Sequence, residues 1–227
     1  RLWTGIDYGS WGLCGGHDTS AISAPEDADL LRLENWTFTP PLPFDESWTG
    51  RDPAQHRPSL LEGNMVAAPD GRIFNLPRFG SGGAVPNYGY SFLLEADPDH
   101  PGAQLHMYKK IAFPGNNTKF AVRRDPLSGS YYAFVNPVRN GGLSQRNILV
   151  MSRSEDLYGG FTEVCDLIDY ASNGWPENEK QVGFQYADWI FDGDDILLVS
   201  RTALNGAHNF HDANYITLHR IRNFRSL

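Results

Sequence analysis

Two short segments near the ends of the chain contain residues that commonly bind metal ions. Cys14-Gly-Gly-His17 and His208-Asn-Phe-His211 together supply a thiol and imidazole rings, the preferred donors of a tetrahedral zinc site. If the fold brings the two segments together, we expect a structural zinc or calcium ion there and no organic cofactor. The alternative is that these histidines hydrogen-bond backbone carbonyls in glycine-rich turns.

Two arginines end strand-like runs and have the chemistry to bind a carboxylate. Arg78 closes the run that begins at Ile73, and Arg201 follows Val199 and Ser200. A guanidinium can pair with a carboxylate through two parallel hydrogen bonds. Either arginine is therefore a candidate for binding a ligand carboxylate, and the alternative for each is a solvated or ion-paired strand end.

Other residues have the chemistry of an acid, a base or a nucleophile. Tyr186 and Asp188 alternate with Gln185 along one predicted strand, so Tyr186 and Asp188 are expected to share a face. A tyrosine with a carboxylate can act as a nucleophile or base with its helper, or can simply form a structural hydrogen bond. Glu62 and Asn64 have the same two interpretations, as members of an acid/base pair or as turn residues.

Four aromatic residues occur in Gly- and Pro-rich segments that are predicted to be loops. Loops on a rigid scaffold are where binding groups usually lie, and exposed aromatic rings there can stack against a ligand. These residues are Tyr88, Tyr90, Trp48 and Trp175.

The amino-acid composition limits the kinds of partner that these candidate residues could bind. The 227 residues have 41% hydrophobic content and a formal net charge of −8, which indicates a globular chain that would repel a phosphate backbone. The longest apolar runs, such as residues 196–199, are far shorter than the roughly 20 residues that span a bilayer. We therefore expect neither nucleic acid binding nor membrane insertion.

The elements that must position the candidates are β-strands. Residues 189–200 form two strand-like runs around Asp192-Gly193, which predicts a hairpin. The same pattern recurs at 64–76 around Gly71 and at 120–135 around Gly129. One further strand is predicted after each hairpin, at 91–96, 147–152 and 214–220, and a related unit begins at 20–27 and continues at 35–37.

These repeats predict an all-β fold of about four antiparallel units, a β-propeller of four-stranded blades. One blade cannot bury both of its faces alone, so such units are arranged radially. A β-sandwich is the alternative, but its strands would recur at about 8–12 residues without a longer period. We expect residues 1–227 to be a single propeller domain or the C-terminal half of one.

Several segments resemble the C-terminal part of sialidase-like β-propellers. The clearest is Gly183-Phe-Gln-Tyr-Ala-Asp-Trp189, and residues 154–161 are similar to a degenerate Asp-box with Phe161 where Trp is usual. Further similar segments are 15–18, 22–25, 27–31, 61–64, 199–203 and 206–221. The resemblance implies a secreted or periplasmic protein that acts on a polysaccharide or oligosaccharide.

Three functions are open at this point. The first is a sialidase-like glycoside hydrolase acting on an acidic or deoxy-sugar-containing glycan, with two groups flanking the bond. The second is a polysaccharide lyase, which needs a base and a cation that neutralises the uronate carboxylate. The third is a propeller that binds glycan without turnover. Tyr186, Asp188 and Glu62 are the predicted catalytic residues, and Arg78, Arg201, Tyr88 and Tyr90 are the predicted substrate-binding residues.

Overall fold

The structure is a computed structural model that describes residues 1–9, 16–49, 58–80, 89–140, 145–178 and 181–227. The chain divides into two compact units, residues 1–111 and 112–227. Apart from short 3-10 helices, the regular elements of the described residues are β-strands, which confirms the all-β prediction. None of the helices in these ranges is long and apolar enough to span a membrane.

The first unit contains two antiparallel sheets. The first sheet has the order β1-β2-β3 and the second has the order β4-β5-β6-β7. The strands are β1 (Leu2–Tyr8), β2 (Asp18–Ala24), β3 (Thr37–Phe38), β4 (Ser59–Ala67), β5 (Ile73–Gly80), β6 (Tyr90–Ala96) and β7 (His106–Ala112). Short 3-10 helices at Leu33–Asn35 and Glu46–Trp48 lie on either side of β3.

The second unit repeats this organisation. Its sheets have the orders β11-β10-β9-β8 and β12-β13-β14. The strands are β8 (Val122–Arg124), β9 (Tyr131–Val135), β10 (Ile148–Ser154), β11 (Thr162–Asp169), β12 (Gly183–Asp192), β13 (Asp195–Ala203) and β14 (Tyr215–Ile221). A 3-10 helix, Phe224–Ser226, follows β14.

The predicted hairpins and the strands that follow them are confirmed. The pairs β4–β5, β8–β9 and β12–β13 turn around the three predicted glycines, and β6, β10 and β14 are the strands that follow. Four sheets are present, so the sandwich alternative is wrong. Within the described ranges, the two middle sheets have the predicted four strands and the first and last sheets have three.

Each unit buries an apolar core between its two sheets. In the second unit, Phe134 packs edge-on against Trp189 with ring centroids 5.1 Å apart, and Tyr132 packs in the same way against Phe224. In the first unit, the ring centroids of Phe79 and Phe92 lie 5.1 Å apart, and both residues belong to an apolar cluster that includes Leu60. The strand residues on the inner faces are therefore large and apolar, as burial requires.

A buried ion pair joins the end of the chain to the β8–β9 turn. Asp125 is fully buried and accepts hydrogen bonds from the backbone N–H groups of Leu127 and Ser128. Arg225 adds a two-pronged contact, from Nε to Oδ2 at 2.7 Å and from the terminal nitrogen to Oδ1 at 2.8 Å. This guanidinium holds the pKa of Asp125 well below its usual range.

We predict that Arg225→Ala lowers the free energy of unfolding by about 3 kcal/mol, because the Asp125 carboxylate remains buried without its cation. Arg222→Ala is the matched control, since Arg222 is an exposed arginine close by in sequence. Denaturant unfolding measures both. Equal stabilities for the two variants would contradict the role given to the pair.

The same pair predicts a dependence on pH. A depressed folded-state pKa stabilises the fold fully above the unfolded aspartate value of about 3.9, and the contribution falls as pH drops toward the folded value. The difference in unfolding free energy between wild type and Arg225→Ala should therefore be constant from about pH 6 to 8 and shrink below about pH 4. A difference that stays constant down to about pH 3 would assign the stabilisation to packing.

Candidate functional site

A β-bulge in the first unit moves one acidic residue out of the regular ladder. Leu61 of β4 pairs with Arg78 of β5, but the register shifts between Leu61 and Asn64. Glu62 lies within this shift and has a positive φ of 42°, which side-chain-bearing residues rarely adopt. Bulges of this kind redirect side chains and are frequent beside active sites.

Two glycines let the first sheet approach this bulge. A Cβ on Gly5 of β1 would come within 2.6 Å of the Gly63 backbone, and a Cβ on Gly63 would meet the side chain of Asn75. Only glycine fits at both positions, so β1 and β4 pack backbone to backbone. This close approach brings Asp7 of β1 next to Glu62.

Four ionisable residues meet at the bulge and are called the Glu62 cluster: Asp7, His17, Glu62 and Arg78. The Arg78 guanidinium donates to Glu62 Oε2 at 3.0 Å, and the Glu62 backbone N–H donates to Asp7 Oδ1 at 3.0 Å. The other oxygen, Asp7 Oδ2, lies 2.5 Å from His17 Nδ1. Ser59 Oγ accepts the backbone N–H of His17, which fixes the start of β2.

The Glu62 cluster has the composition of an acid/base site. It joins two carboxylates, an imidazole and a guanidinium, and its side chains are partly buried: Glu62 is 25% exposed and Asp7 is 20% exposed. Residues in such a setting are oriented by their partners and still reach solvent. Paired carboxylates carry out proton transfer or nucleophilic attack on glycosidic bonds.

The second unit contains an equivalent bulge. Gln185 of β12 pairs with Arg201 of β13, the register then shifts, and Asp188 pairs with Val199. Tyr186 lies within the shift with a positive φ of 52°. Thus Tyr186 and Arg201 occupy the places that Glu62 and Arg78 occupy in the first unit.

Three residues at this second bulge are called the Tyr186 cluster: Tyr186, Arg201 and His211. The Arg201 guanidinium carbon lies 4.4 Å from the centroid of the Tyr186 ring, and a terminal nitrogen lies 3.5 Å from His211 Nδ1. The Nε of Arg201 makes no hydrogen bond with any described residue. The Arg146 guanidinium carbon lies 5.5 Å from the centroid of the Phe210 ring, which packs against His211.

The bulge corrects one sequence prediction. Strict alternation predicted that Tyr186 and Asp188 share one face of the strand and that Gln185 lies on the other. The extra residue changes this, because Gln185 pairs with Arg201 and Asp188 pairs with Val199. Since Arg201 and Val199 lie on the same face of β13, Gln185 and Asp188 share a face. Asp188 is exposed and pairs with Arg123 at 2.9 Å. Tyr186 and Asp188 therefore contact two different arginines, Arg201 and Arg123.

The predicted metal ligands fall in both units. Cys14 lies outside the described residues, His17 is held by Asp7, and His208 pairs with Asp212 at 2.7 Å. The hydrogen bond from His208 lowers the pKa of Asp212. Within the described ranges no three His, Cys, Asp or Glu residues are grouped to hold a metal ion, and the four-ligand set, with His211, stays a prediction.

The predicted aromatic residues have different environments. Tyr88 lies outside the described residues, whereas Tyr90 begins β6 rather than lying in a loop. Lys110 places its ammonium 4.0 Å from the Tyr90 ring centroid. Trp175 packs against Phe184 in the core of the second unit, and Trp48 ends the Glu46–Trp48 helix.

Sequence reasoning missed Asp7, although its position carried a signal. Along β1, Asp7 falls on the same face as Trp3 and Gly5, the face that packs inward. An isolated carboxylate on an inward face requires partners. Its partners, His17 and Glu62, come from separate strands, so the sequence pattern could not name them.

We predict that glycine is tolerated better than alanine at both bulge positions. Because Glu62 and Tyr186 have left-handed φ angles, the Gly variant should be about 1 kcal/mol more stable than the Ala variant at each site. Glu163, an exposed residue of β11 without a positive φ, is the control, and there alanine should be more stable. Denaturant unfolding of the six variants tests this, and the same order at all three positions would argue against strain at the bulges.

Comparisons with known proteins define the fold class. No family model matches the chain, and no curated protein matches it. Among solved structures, a GH43 β-1,3-galactosidase aligns with a TM-score of 0.52 and 11% identity over 95% of this chain and 41% of its own. An α-L-arabinanase from Cellvibrio cellulosa aligns with a TM-score of 0.50 and 10% identity over 97% of this chain and 69% of its own.

A PL25 ulvan lyase is also similar, at a TM-score of 0.45 and 14% identity over 96% of this chain, but so loose a match carries no argument. The chain spans 54% of an α-L-arabinofuranosidase from Clostridium thermocellum and smaller shares of the galactosidase and of a galactanase from the same organism. These neighbours are carbohydrate-active enzymes, not sialidases specifically. The four sheets described above form part of a β-propeller.

Proposed function

We propose that this chain is part of a carbohydrate-active enzyme that cleaves glycosidic bonds in an acidic glycan by hydrolysis. The observation that carries the proposal is the junction of Glu62 and Asp7 at a strained bulge, where the Glu62 backbone N–H donates to the Asp7 carboxylate and places two acidic residues side by side. Hydrolysis of a glycosidic bond uses two such groups, one on each side of the bond. The glycoside hydrolases among the structural neighbours support the class of reaction.

The contacts suggest different roles for the two carboxylates. Arg78 holds Glu62 through one carboxylate oxygen, which suits an ionised group that accepts a proton or attacks the sugar. Asp7 receives hydrogen bonds at both oxygens, one of them shared with His17. Asp7 would then be the second acid/base group, held by the Glu62 backbone N–H at one oxygen and sharing a proton with the His17 imidazole at the other.

The arginines support an acidic substrate. The guanidinium of Arg201 lies over Tyr186 and forms no ion pair with a carboxylate of the described residues, so its terminal nitrogens are the donors proposed for a sugar carboxylate. A sialidase-like type is the finer form of this proposal. It would fit secretion or a periplasmic location, where glycans are available as substrates.

A polysaccharide lyase is the second candidate, and the Tyr186 cluster favours it. This cluster combines a phenol, a guanidinium and an imidazole, whereas the nearby carboxylates pair elsewhere, Asp188 with Arg123 and Asp212 with His208. Elimination next to a uronate needs a base and a cation that neutralises the sugar carboxylate. Tyr186 or His211 would be the base and Arg201 the cation.

One experiment separates the candidates. We predict that the intact polypeptide releases new reducing ends from an acidic polysaccharide without new ultraviolet absorption, because hydrolysis leaves no unsaturated sugar. Reducing ends together with ultraviolet absorption would establish the lyase and overturn hydrolysis. If the polypeptide binds the glycan but produces neither reducing ends nor ultraviolet absorption, only a binding function would remain.

Two substitutions assign the site. Glu62→Gln should abolish hydrolysis with a stability change within about 1 kcal/mol, because the Glu62–Arg78 pair is partly exposed. Glu95→Gln is the matched control, since Glu95 also pairs with an arginine, Arg72, and should keep full activity. If the product is that of a lyase, Tyr186→Phe or His211→Gln should abolish activity, according to which of the two is the base, and Glu62→Gln should not.

A further inference from the structure

A groove of the first unit lies on the loop before β4 and has a volume of about 530 Å³. The volume falls within the range of small-molecule sites. Its lining residues are Leu42, Pro43, Phe44, Asp45, Glu46, Trp48 and Gln104. None of them belongs to the Glu62 or Tyr186 cluster.

Trp48 provides a rigid platform in this groove. Its ring packs edge-on against Phe44 with centroids 5.5 Å apart and against Phe92 at 5.3 Å, and it remains partly exposed. Trp36 and Trp189 donate their indole N–H groups to backbone carbonyls, but the Trp48 indole makes no hydrogen bond to a described residue. An indole ring that is fixed by aromatic neighbours and keeps its N–H available suits stacking against a sugar ring.

The polar groups of the groove are mainly acceptors. Asp45 Oδ1 accepts the backbone N–H of Ser47 at 2.8 Å. The Ser47 side chain and this backbone contact lower the pKa of Asp45, so it is ionised at neutral pH. Glu46 is exposed, with no hydrogen bond or ion pair of its side chain to the described residues. Gln104 donates its amide nitrogen to Pro41, which leaves its carbonyl oxygen for a ligand.

This arrangement selects among ligands by charge and by hydrogen bonding. Carboxylates and an amide oxygen accept hydrogen bonds, and sugar hydroxyl groups donate them. A uronate or sulfate group would instead meet the negative charges of Asp45 and Glu46, and like charges repel at this range. The groove therefore suits a neutral sugar and disfavours an acidic one.

We infer that the Trp48 groove is a subsite for neutral sugar residues of the glycan, with Trp48 as the stacking platform and Asp45, Glu46 and Gln104 as hydroxyl acceptors. This inference rests on the proposed function, since it assumes that the ligand is a glycan. It adds that the glycan contains neutral residues besides the acidic residues that the arginines would bind.

The test is calorimetric titration of the intact polypeptide with sugar oligomers in the presence of a chelator, which removes cation-bridged binding. The probes are neutral oligomers of galactose, glucose, xylose, arabinose and rhamnose, together with galacturonate oligomers matched in length to the galactose series. At least one neutral series should bind. Glu46→Ala and Gln104→Ala should each weaken it about three- to tenfold, and Trp48→Ala more than tenfold.

Glu26→Ala, a change at an exposed glutamate in the turn after β2, is the matched control and should leave binding unchanged. Because Trp48 also contacts the core, the exposed Glu46 and Gln104 variants keep the test valid if Trp48→Ala does not fold. No binding of any neutral oligomer would overturn the inference, as would binding that all three groove variants leave intact. Neutral sugar binding without turnover would retain the subsite and count against the enzymatic proposal.

Discussion

The extra residue in the first long strand of a hairpin is the constraint on which the candidate chemistry depends. An antiparallel ladder normally turns alternate side chains to opposite faces, and one inserted residue breaks that alternation locally. In β4 the inserted residue is Glu62 and in β12 it is Tyr186, each with a left-handed φ and each beside an arginine of the next strand. Because the surrounding pairs hold the bulge in place, a conformation that would be unfavourable in an isolated strand persists.

The two bulges share a backbone form but present different chemistry. At Glu62 the neighbouring sheet approaches closely enough for Asp7 to accept the Glu62 backbone N–H, so two carboxylates become members of one network. At Tyr186 the partners are Arg201 and His211, and the contacts within that cluster include no carboxylate. The repeated geometry thus supports two kinds of reactive group within one chain, as expected when function depends on side chains placed on a common scaffold.

Charge is distributed unevenly for a chain with a net charge of −8. Several acidic residues are neutralised by arginines in structural pairs, among them the buried Asp125 with Arg225. Arg139 is similarly engaged by Glu163 and Asp166, and these carboxylates raise the pKa of its guanidinium further. Arg201 differs because its contacts are an aromatic ring and an imidazole. A guanidinium that pairs with no carboxylate of the described residues, in a predominantly acidic protein, is well suited to an anionic ligand.

The sequence by itself determined the elements whose signals are local. Asp-Gly and Gly turns between alternating runs predicted the hairpins at Gly71, Gly129 and Gly193, because a turn is specified by the few residues within it. Repetition of that unit predicted several small sheets rather than two large ones.

Only the tertiary structure decided the site. The residues around Glu62 have the sequence of an ordinary strand. Which side chains Glu62 contacts depends on the residues of β5 that pair with β4 on either side of the bulge. Asp7 reaches Glu62 across 55 residues and Asp125 reaches Arg225 across 100, so no local pattern could have paired them. Contacts at such separation form because sheets pack their faces together, and packing is a property of the whole unit rather than of any short segment.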